Sequence, residues 1–280
     1  MASLRCCAMQ FRKWRGSVRI ITVFVFLAIF AYDANWNVLT FSRNAGVPTP
    51  PWVYPAVFSD RYLMMCICMA VMVLFCDAPF LDRHQPYLIL RSGRKSWALG
   101  TAEYLLVSSI VVSASIFLMG LLLGIDTLTF STDWGGVLKG IAGRSIMPTR
   151  ILNLYSPLAA CGLAMLLSSL IFFFLGLLFF LCNLLAPPVV GTLTVGAFCV
   201  LDFFCLFFLH DASWLLHLSP VSWANLNQLG TTGWPTLSYA LGALLGLDSI
   251  LLGLIVLRCH RMDIQVTHSE ICLLYTSPSP

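Results

Sequence analysis

Few side chains in this sequence have the chemistry to react, and none stands in a catalytic arrangement. His210, Asp211 and His217 form the one cluster that could hold a metal. Two histidines seven residues apart can share a helix face, but no acid/base partner accompanies them, and solvated loop histidines account for them as well. Only two glutamates occur, Glu103 and Glu270, so no paired-glutamate site can be built. Gly143-Arg144-Ser145-Ile146 lacks the second glycine of a Gly-x-Ser-Gly nucleophile turn. There is no GxxxxGK[ST] phosphate loop, no HExxH and no GxSxG. The expectation is a protein that is not an enzyme, with no metal and no cofactor.

The remaining residues of interest are charges in unusual places. Asp202 and Asp248 lie inside long apolar runs. A carboxylate near mid-membrane is costly and usually faces the bundle interior. One reading is a proton or cation site in a translocation path. The other is a protonated or hydrogen-bonded Asp that sets helix packing. No Lys or Arg stands inside the same runs, so Ser and Asn on neighbouring helices are the expected partners. The second feature is the segment Asp77–Ala102, which carries Arg83, Arg91, Arg94 and Lys95 between two apolar runs.

The elements around these charges follow from composition. The 280 residues are 59% hydrophobic and only 10% charged, with a mean hydropathy of +0.87. Soluble domains carry about 25% charged residues, so most of this chain's outer surface must face lipid. The 11 cysteines contain no CxxC pair. Most lie in or beside apolar runs, where a thiol behaves as a small hydrophobe. Cys6-Cys7, next to basic residues, could alternatively be acylated. The basic clusters are short and abut apolar runs, which argues against nucleic acid as a partner.

Taken in order, Met1–Arg19 holds five cations and no acid, with Met9, Phe11 and Trp14 interleaved. That pattern predicts a short helix in the headgroup layer over residues 1–17, with its aromatics dipping into lipid. Val18–Tyr32 is the first apolar run, read as an uncleaved span because Phe30-Ala31-Tyr32-Asp33 offers no small-x-small cleavage site. Asp33–Tyr62 is polar and punctuated by Pro48, Pro50, Pro51 and Pro55. It is expected to be extended, with Trp36, Trp52 and Tyr54 in an interfacial belt. Further spans are expected over Tyr62–Phe80, Ala98–Leu123, Pro157–Asn183, Val189–Leu209 and Pro235–Leu257. Ser108, Ser109, Ser113 and Ser115 in the third would let helices approach closely. Asp133–Ile141 suits a weak amphipathic helix. Pro187-Pro188 marks a tight hairpin. His210–Gly233 suits two short helices, re-entrant or interfacial, flanked by Trp214 and Trp223.

The fold class predicted is therefore all-α: a polytopic helical membrane protein with six transmembrane helices over residues 18–257. Residues 258–271 form a tail. Cys272–Pro280 resembles the translated read-through of a transposase adapter and is set aside. Six spans put both ends on one side, together with Asp77–Ala102, Arg258 and Arg261. Only Arg43, Arg61, Lys139, Arg144 and Arg150 then remain on the other side. Cytoplasmic loops carry the excess of Lys and Arg, so both termini are expected to be cytoplasmic, in a multi-pass protein of the plasma membrane.

With this architecture the chain resembles the membrane subunits of ATP-binding cassette exporters of the type-2 permease class. Met9–Arg15, Asp82–Trp97 and Asp211–Leu229 match the places of their interface helix, coupling segment and outer re-entrant helices. Arg91-Ser92-Gly93-Arg94-Lys95-Ser96-Trp97 and Leu218-Ser219-Pro220-Val221-Ser222-Trp223 look like loops of small permeases from anaerobic Gram-positive bacteria. The Arg-Glu…Thr pattern of better-known coupling segments is absent: after Asp77 no Glu precedes Glu103. The resemblance implies an exporter permease subunit working in the lipid bilayer with a cytosolic P-loop ATPase. It also implies a homodimer, or a heterodimer with a sister permease. Arg91, Arg94, Lys95 and Trp97 would form the coupling loop. A non-transporting anchor or assembly protein, and an ion-coupled carrier using Asp202 and Asp248, remain as alternatives.

Overall fold

The structure is a computed structural model and describes residues 2–80, 85–141, 148–208 and 213–261. The tail expected beyond Arg261, together with Cys272–Pro280, lies outside the described residues, as do His210 and Asp211.

The described residues are helical almost throughout. In order they form α1 (Ala2–Arg12), α2 (Val18–Ala45), α3 (Tyr54–Val57), α4 (Arg61–Phe75) and α5 (Gln85–Ser92). Next come α6 (Arg94–Leu123), α7 (Gly135–Ile141), α8 (Thr149–Leu154), α9 (Pro157–Leu185) and α10 (Pro188–Phe208). Two 3₁₀ turns, Ser213–Leu218 and Pro220–Ala224, precede α11 (Leu237–Arg261). Among the described residues, four helices are long and apolar enough to cross a membrane: α2, α6, α9 and α11. The second and fifth expected spans are shorter apolar helices, Arg61–Phe75 and Pro188–Phe204. The 15 residues of α4 rise only about 22 Å. The chain leaves that helix early because Asn183 of α9 donates to the carbonyls of Cys76 (2.9 Å) and Ala78 (2.6 Å).

The centre of the bundle is α9. It buries Phe172, Phe174, Leu175, Leu177, Phe179 and Phe180, and α3, α4, α6, α10 and α11 all pack on it. A helix apolar on every face is what a central position requires.

Three segments depart from expectation. First, α2 does not stop at Tyr32 but runs on through Asp33, Asn35 and Asn37 to Ala45. Its buried positions Val23, Leu27, Ala31, Asn35, Val38 and Ser42 form one continuous stripe, so packing carries the helix past the fall in hydropathy. Asn35 is tolerated there because its amide donates to the Ala31 carbonyl at 2.7 Å. Second, the proline-rich stretch is not an extended belt. Tyr54, Pro55, Ala56, Val57 and Phe58 are buried. The Tyr54 hydroxyl closes a triangle with Ser113 (2.6 Å) and Ser168 (2.8 Å), themselves 2.8 Å apart. Prolines that cannot join a helix ladder thus leave a short plug, and its one polar tip is satisfied by hydroxyls of α6 and α9.

Third, the aromatics Phe11 and Trp14, in and just after α1, pack on protein. Helix α1 lies flush against α6 and buries Cys6, Cys7 and Gln10. Phe11 packs on Tyr104 with ring centroids 4.8 Å apart, and Trp14 donates to the Tyr104 hydroxyl at 2.8 Å. The close approach depends on Gly100. A Cβ there would stand 2.5 Å from the Ser3 carbonyl oxygen and 2.6 Å from Cys6 Cβ. Gly100→Val is therefore expected to lift α1 from α6. Labelling with a membrane-impermeant maleimide checks this: Cys6 and Cys7 should be protected in the parent protein and labelled in the variant. Continued protection in Gly100→Val would show that α1 is held by something other than this contact.

Two ion pairs tie α2 at its two ends. Arg19 pairs with Asp77 after α4, and Arg43 meets Asp126 beyond α6 at 3.0 Å. The Arg43 hydrogen bond holds the exposed Asp126 carboxyl below the ordinary carboxylate range.

Candidate functional site

The bundle has two ends of different character. At the basic end, Gly93 makes a sharp corner between α5 and α6, with φ of +82°. An L side chain is strained in that conformation, so glycine is the residue that lets the two helices meet there. Arg91 and Lys95 are exposed on either side of the corner. Arg94 is half-buried and donates to the His260 carbonyl at 3.0 Å, which brings the end of α11 to the same place. A cation suits the C-terminal end of a helix. Arg258 and Arg261 are also exposed there.

The expected loop is therefore a helix–glycine–helix corner, and Trp97 belongs to the core rather than to that surface. It lies in the first turn of α6, is 2% exposed, and packs edge-on against Phe180 at 5.8 Å. Of the four residues assigned to a coupling loop, Arg91 and Lys95 remain available to a partner, Arg94 joins two helices, and Trp97 is buried.

At the other end, called here the cap end, the second 3₁₀ turn and the loop to Trp234 cover α4, α9 and α10. The loop is closed on itself by Gly230 N–H to the Pro235 carbonyl at 2.8 Å and Trp234 N–H to the Thr231 carbonyl at 2.9 Å. It is fastened from outside as well. Asn225 donates to the Ser59 carbonyl at 3.2 Å, and Arg150 of α8 donates to the Asn227 carbonyl at 2.9 Å.

Beneath it lies Asp202 of α10, 2% exposed. Its partner is Arg61, the first residue of α4, with Nη1 3.6 Å from Asp202 Oδ1. In place of the expected Ser and Asn partners, Asp202 therefore has a buried ion pair. Arg61 also donates to Gln228 Oε1, and its guanidinium lies over the Trp234 ring at 4.8 Å. The adjacent Asp60 is not its counterion, because Asp60 caps α4 by accepting from the backbone of Tyr62 (2.8 Å) and Leu63 (3.3 Å). Sequence reasoning passed over Arg61 because it stands just before the apolar run that begins at Tyr62, and the runs themselves hold no Lys or Arg. The signal available was that Asp at a helix start is occupied by the backbone, which leaves the following Arg to find a distant acid.

Asp248 sits elsewhere. It shares the buried stripe of α11 with Ala240, Leu244, Ile255 and Cys259. Neither carboxyl oxygen has a hydrogen-bond partner among the described residues. The structure does not bring Asp202 and Asp248 into one site. The His217 ring is 5.8 Å from Tyr239, and among the described residues no group of three or more His, Cys, Asp or Glu comes together.

A cavity of ≈ 390 Å³ opens between α9, α10 and α11 under the 3₁₀ turns. Phe174, Phe198, Trp223, Tyr239, Gly246 and Ile250 line it. Two of its polar wall groups are spent internally: Trp223 Nε1 donates to the Leu216 carbonyl at 3.0 Å and the Tyr239 hydroxyl to the His217 carbonyl at 3.2 Å, while the His217 ring also lines the wall. No protein-family model, curated protein or solved structure matches this chain.

Proposed function

We propose that this protein is the membrane permease subunit of an exporter powered by a separate P-loop ATPase. In this reading the four long helices and the shorter α4 and α10 together make six spans of the plasma membrane. Both ends of the chain, and the basic end of the bundle, then face the cytosol, in keeping with the bias of Lys and Arg to that side. Two copies, or one copy and a sister permease, enclose the path.

The observation that carries this reading is the corner at Gly93. It presents Arg91 and Lys95 on α5 and the first turn of α6. The 30 residues of α6 then run without a break toward the cap end. Trp97 locks that first turn into α9, so displacement of the corner is passed to the bundle rather than absorbed by a loose loop. Asp202 is neutralised by Arg61, which removes one of the two carboxylates that an ion-coupled carrier would need.

The test is purification of the tagged protein from its host in mild detergent. A P-loop ATPase should come with it, and the double charge reversal Arg91→Glu with Lys95→Glu should abolish that recovery while leaving membrane insertion intact. Recovery of the parent protein without any ATPase, under conditions in which other transporters keep theirs, counts against the proposal.

A further inference from the structure

We propose that the seam where α6 meets α11 at the basic end holds an anionic phospholipid, its phosphate among Arg94, Lys95 and His260 and its acyl chains on the apolar surface that continues from them. The headgroup part is an open depression of ≈ 380 Å³ lined by Gly93, Arg94, Lys95, Ser96 and His260. Arg94 donates to the His260 carbonyl at 3.0 Å, so the ends of two helices are tied together and their polar side chains share one hollow. Lys95 and His260 are exposed there.

The chemistry of the lining selects an anion. It offers a guanidinium, an ammonium, a hydroxyl and an imidazole, all able to donate to phosphate oxygens. Residues 85–102 and 249–261 contain no Asp or Glu, so neither helix end supplies a competing carboxylate. Glu103, the next acid along α6, stands within electrostatic reach of the Cys7 thiol under α1.

Depth and the neighbouring apolar surface then select a lipid. The 30 residues of α6 rise about 45 Å, the thickness of a bilayer with its headgroups. The first turn of α6 therefore lies at headgroup level when the helix spans. Leu99 stands one turn further in from Lys95 and Leu106 two turns beyond that, and they are 40% and 37% exposed. On α11, Val256 lies one turn before His260 and Gly253 two turns before it, on the same side. A Cβ at Gly253 would meet nothing within 4 Å, so that stretch of the seam is open along its length. A soluble anion would use the depression alone. A phospholipid uses the cations and the apolar surface together. Arg91, on the other side of the corner, stays outside the site.

The inference needs the bundle to sit in a bilayer and does not rest on the exporter reading. Binding is read by native mass spectrometry of the full chain in dodecyl maltoside, without ATP or a partner protein. Dioleoyl phosphatidylglycerol is compared with dioleoyl phosphatidylcholine. The first phosphatidylglycerol should bind at least about tenfold more tightly than phosphatidylcholine. Inorganic phosphate in large molar excess should leave that complex in place. Lys95→Gln should weaken it about fivefold, whereas Arg91→Gln, an equal loss of charge on the other side of the corner, should change it by less than about twofold. Gly253→Phe, which fills the seam without touching a charge, should weaken it as well.

Equal binding of the two lipids overturns the proposal. Equal losses in Lys95→Gln and Arg91→Gln also overturn it, because they would show diffuse attraction to a basic surface. So does displacement of the lipid by inorganic phosphate, or unchanged binding in Gly253→Phe. A parent protein that binds the lipid but recovers no ATPase keeps this inference and loses only the exporter reading.

Discussion

Trp97→Ala is expected to destabilise the folded protein by about 3–5 kcal/mol, the range for truncating a large aromatic in a packed core. Trp97 is 2% exposed and anchors the first turn of α6 edge-on against Phe180 of α9. Removing the indole leaves a void between the two longest helices at the end where α1, α5 and α11 also gather. For a chain of this size such a loss corresponds to a fall in melting temperature of roughly 6–20 °C. Heating in detergent, followed by measurement of the monodisperse fraction, reads it directly. Arg91→Ala and Lys95→Ala, on the exposed side of the same corner, are expected to leave the melting temperature nearly unchanged. A Trp97→Ala protein as stable as its parent would mean that this turn of α6 is not packed as described.

The second large effect is expected at the other end. Arg61→Leu leaves Asp202 buried without its cation, and breaking one side of a buried ion pair costs about 3–5 kcal/mol. Replacing both residues by leucine should recover most of that loss, since a buried pair can often be exchanged for apolar side chains of similar volume at little cost. The two single variants and the double variant form a cycle whose coupling energy isolates the interaction. Additive losses in the double variant would show that Arg61 acts through Gln228 and Trp234 alone, and that Asp202 gains nothing from it.

Much of the architecture was legible in the chain. Long apolar runs can satisfy their backbone groups in lipid only as helices, so α2, α6, α9 and α11 were placed near their observed positions by hydropathy alone. The break at Pro187-Pro188 and the pair of short turns after α10 were likewise local matters, set by proline and by small polar residues. The ends of the elements were less legible. The first span was expected to end at Tyr32 because Asp33, Asn35 and Asn37 interrupt the hydropathy. The helix continues because its buried stripe keeps the right spacing, and spacing toward a partner helix is invisible until the partner is known. The shortness of α4 depends on Asn183, which lies 107 residues further along the chain from Cys76.

The candidate sites divide in the same way. Arg91 and Lys95 could be placed on a cationic surface from composition and the positive-inside bias, because solvated charges need no partner. Trp97 could not be told apart from them, since an indole beside a basic corner serves equally as a surface anchor or a core wedge. Asp202 could be recognised as costly from its neighbours, but not as paired. Its cation is contributed by the start of α4 and held by the loop before α11, and no local pattern links those three stretches.

From the amino-acid order alone, the all-helical class, the apolar runs long enough to cross a membrane and the strongly basic segment between two of them were determined. These follow from local hydropathy, charge and backbone chemistry, which each stretch carries within itself. Only the tertiary structure decided that α1 packs on α6 through Gly100, that the Tyr54 plug is buried, and that Arg61 answers Asp202 beneath a cap. Such contacts join residues 59 to 167 positions apart, and their free energy exists only once the surrounding helices have excluded water from both partners.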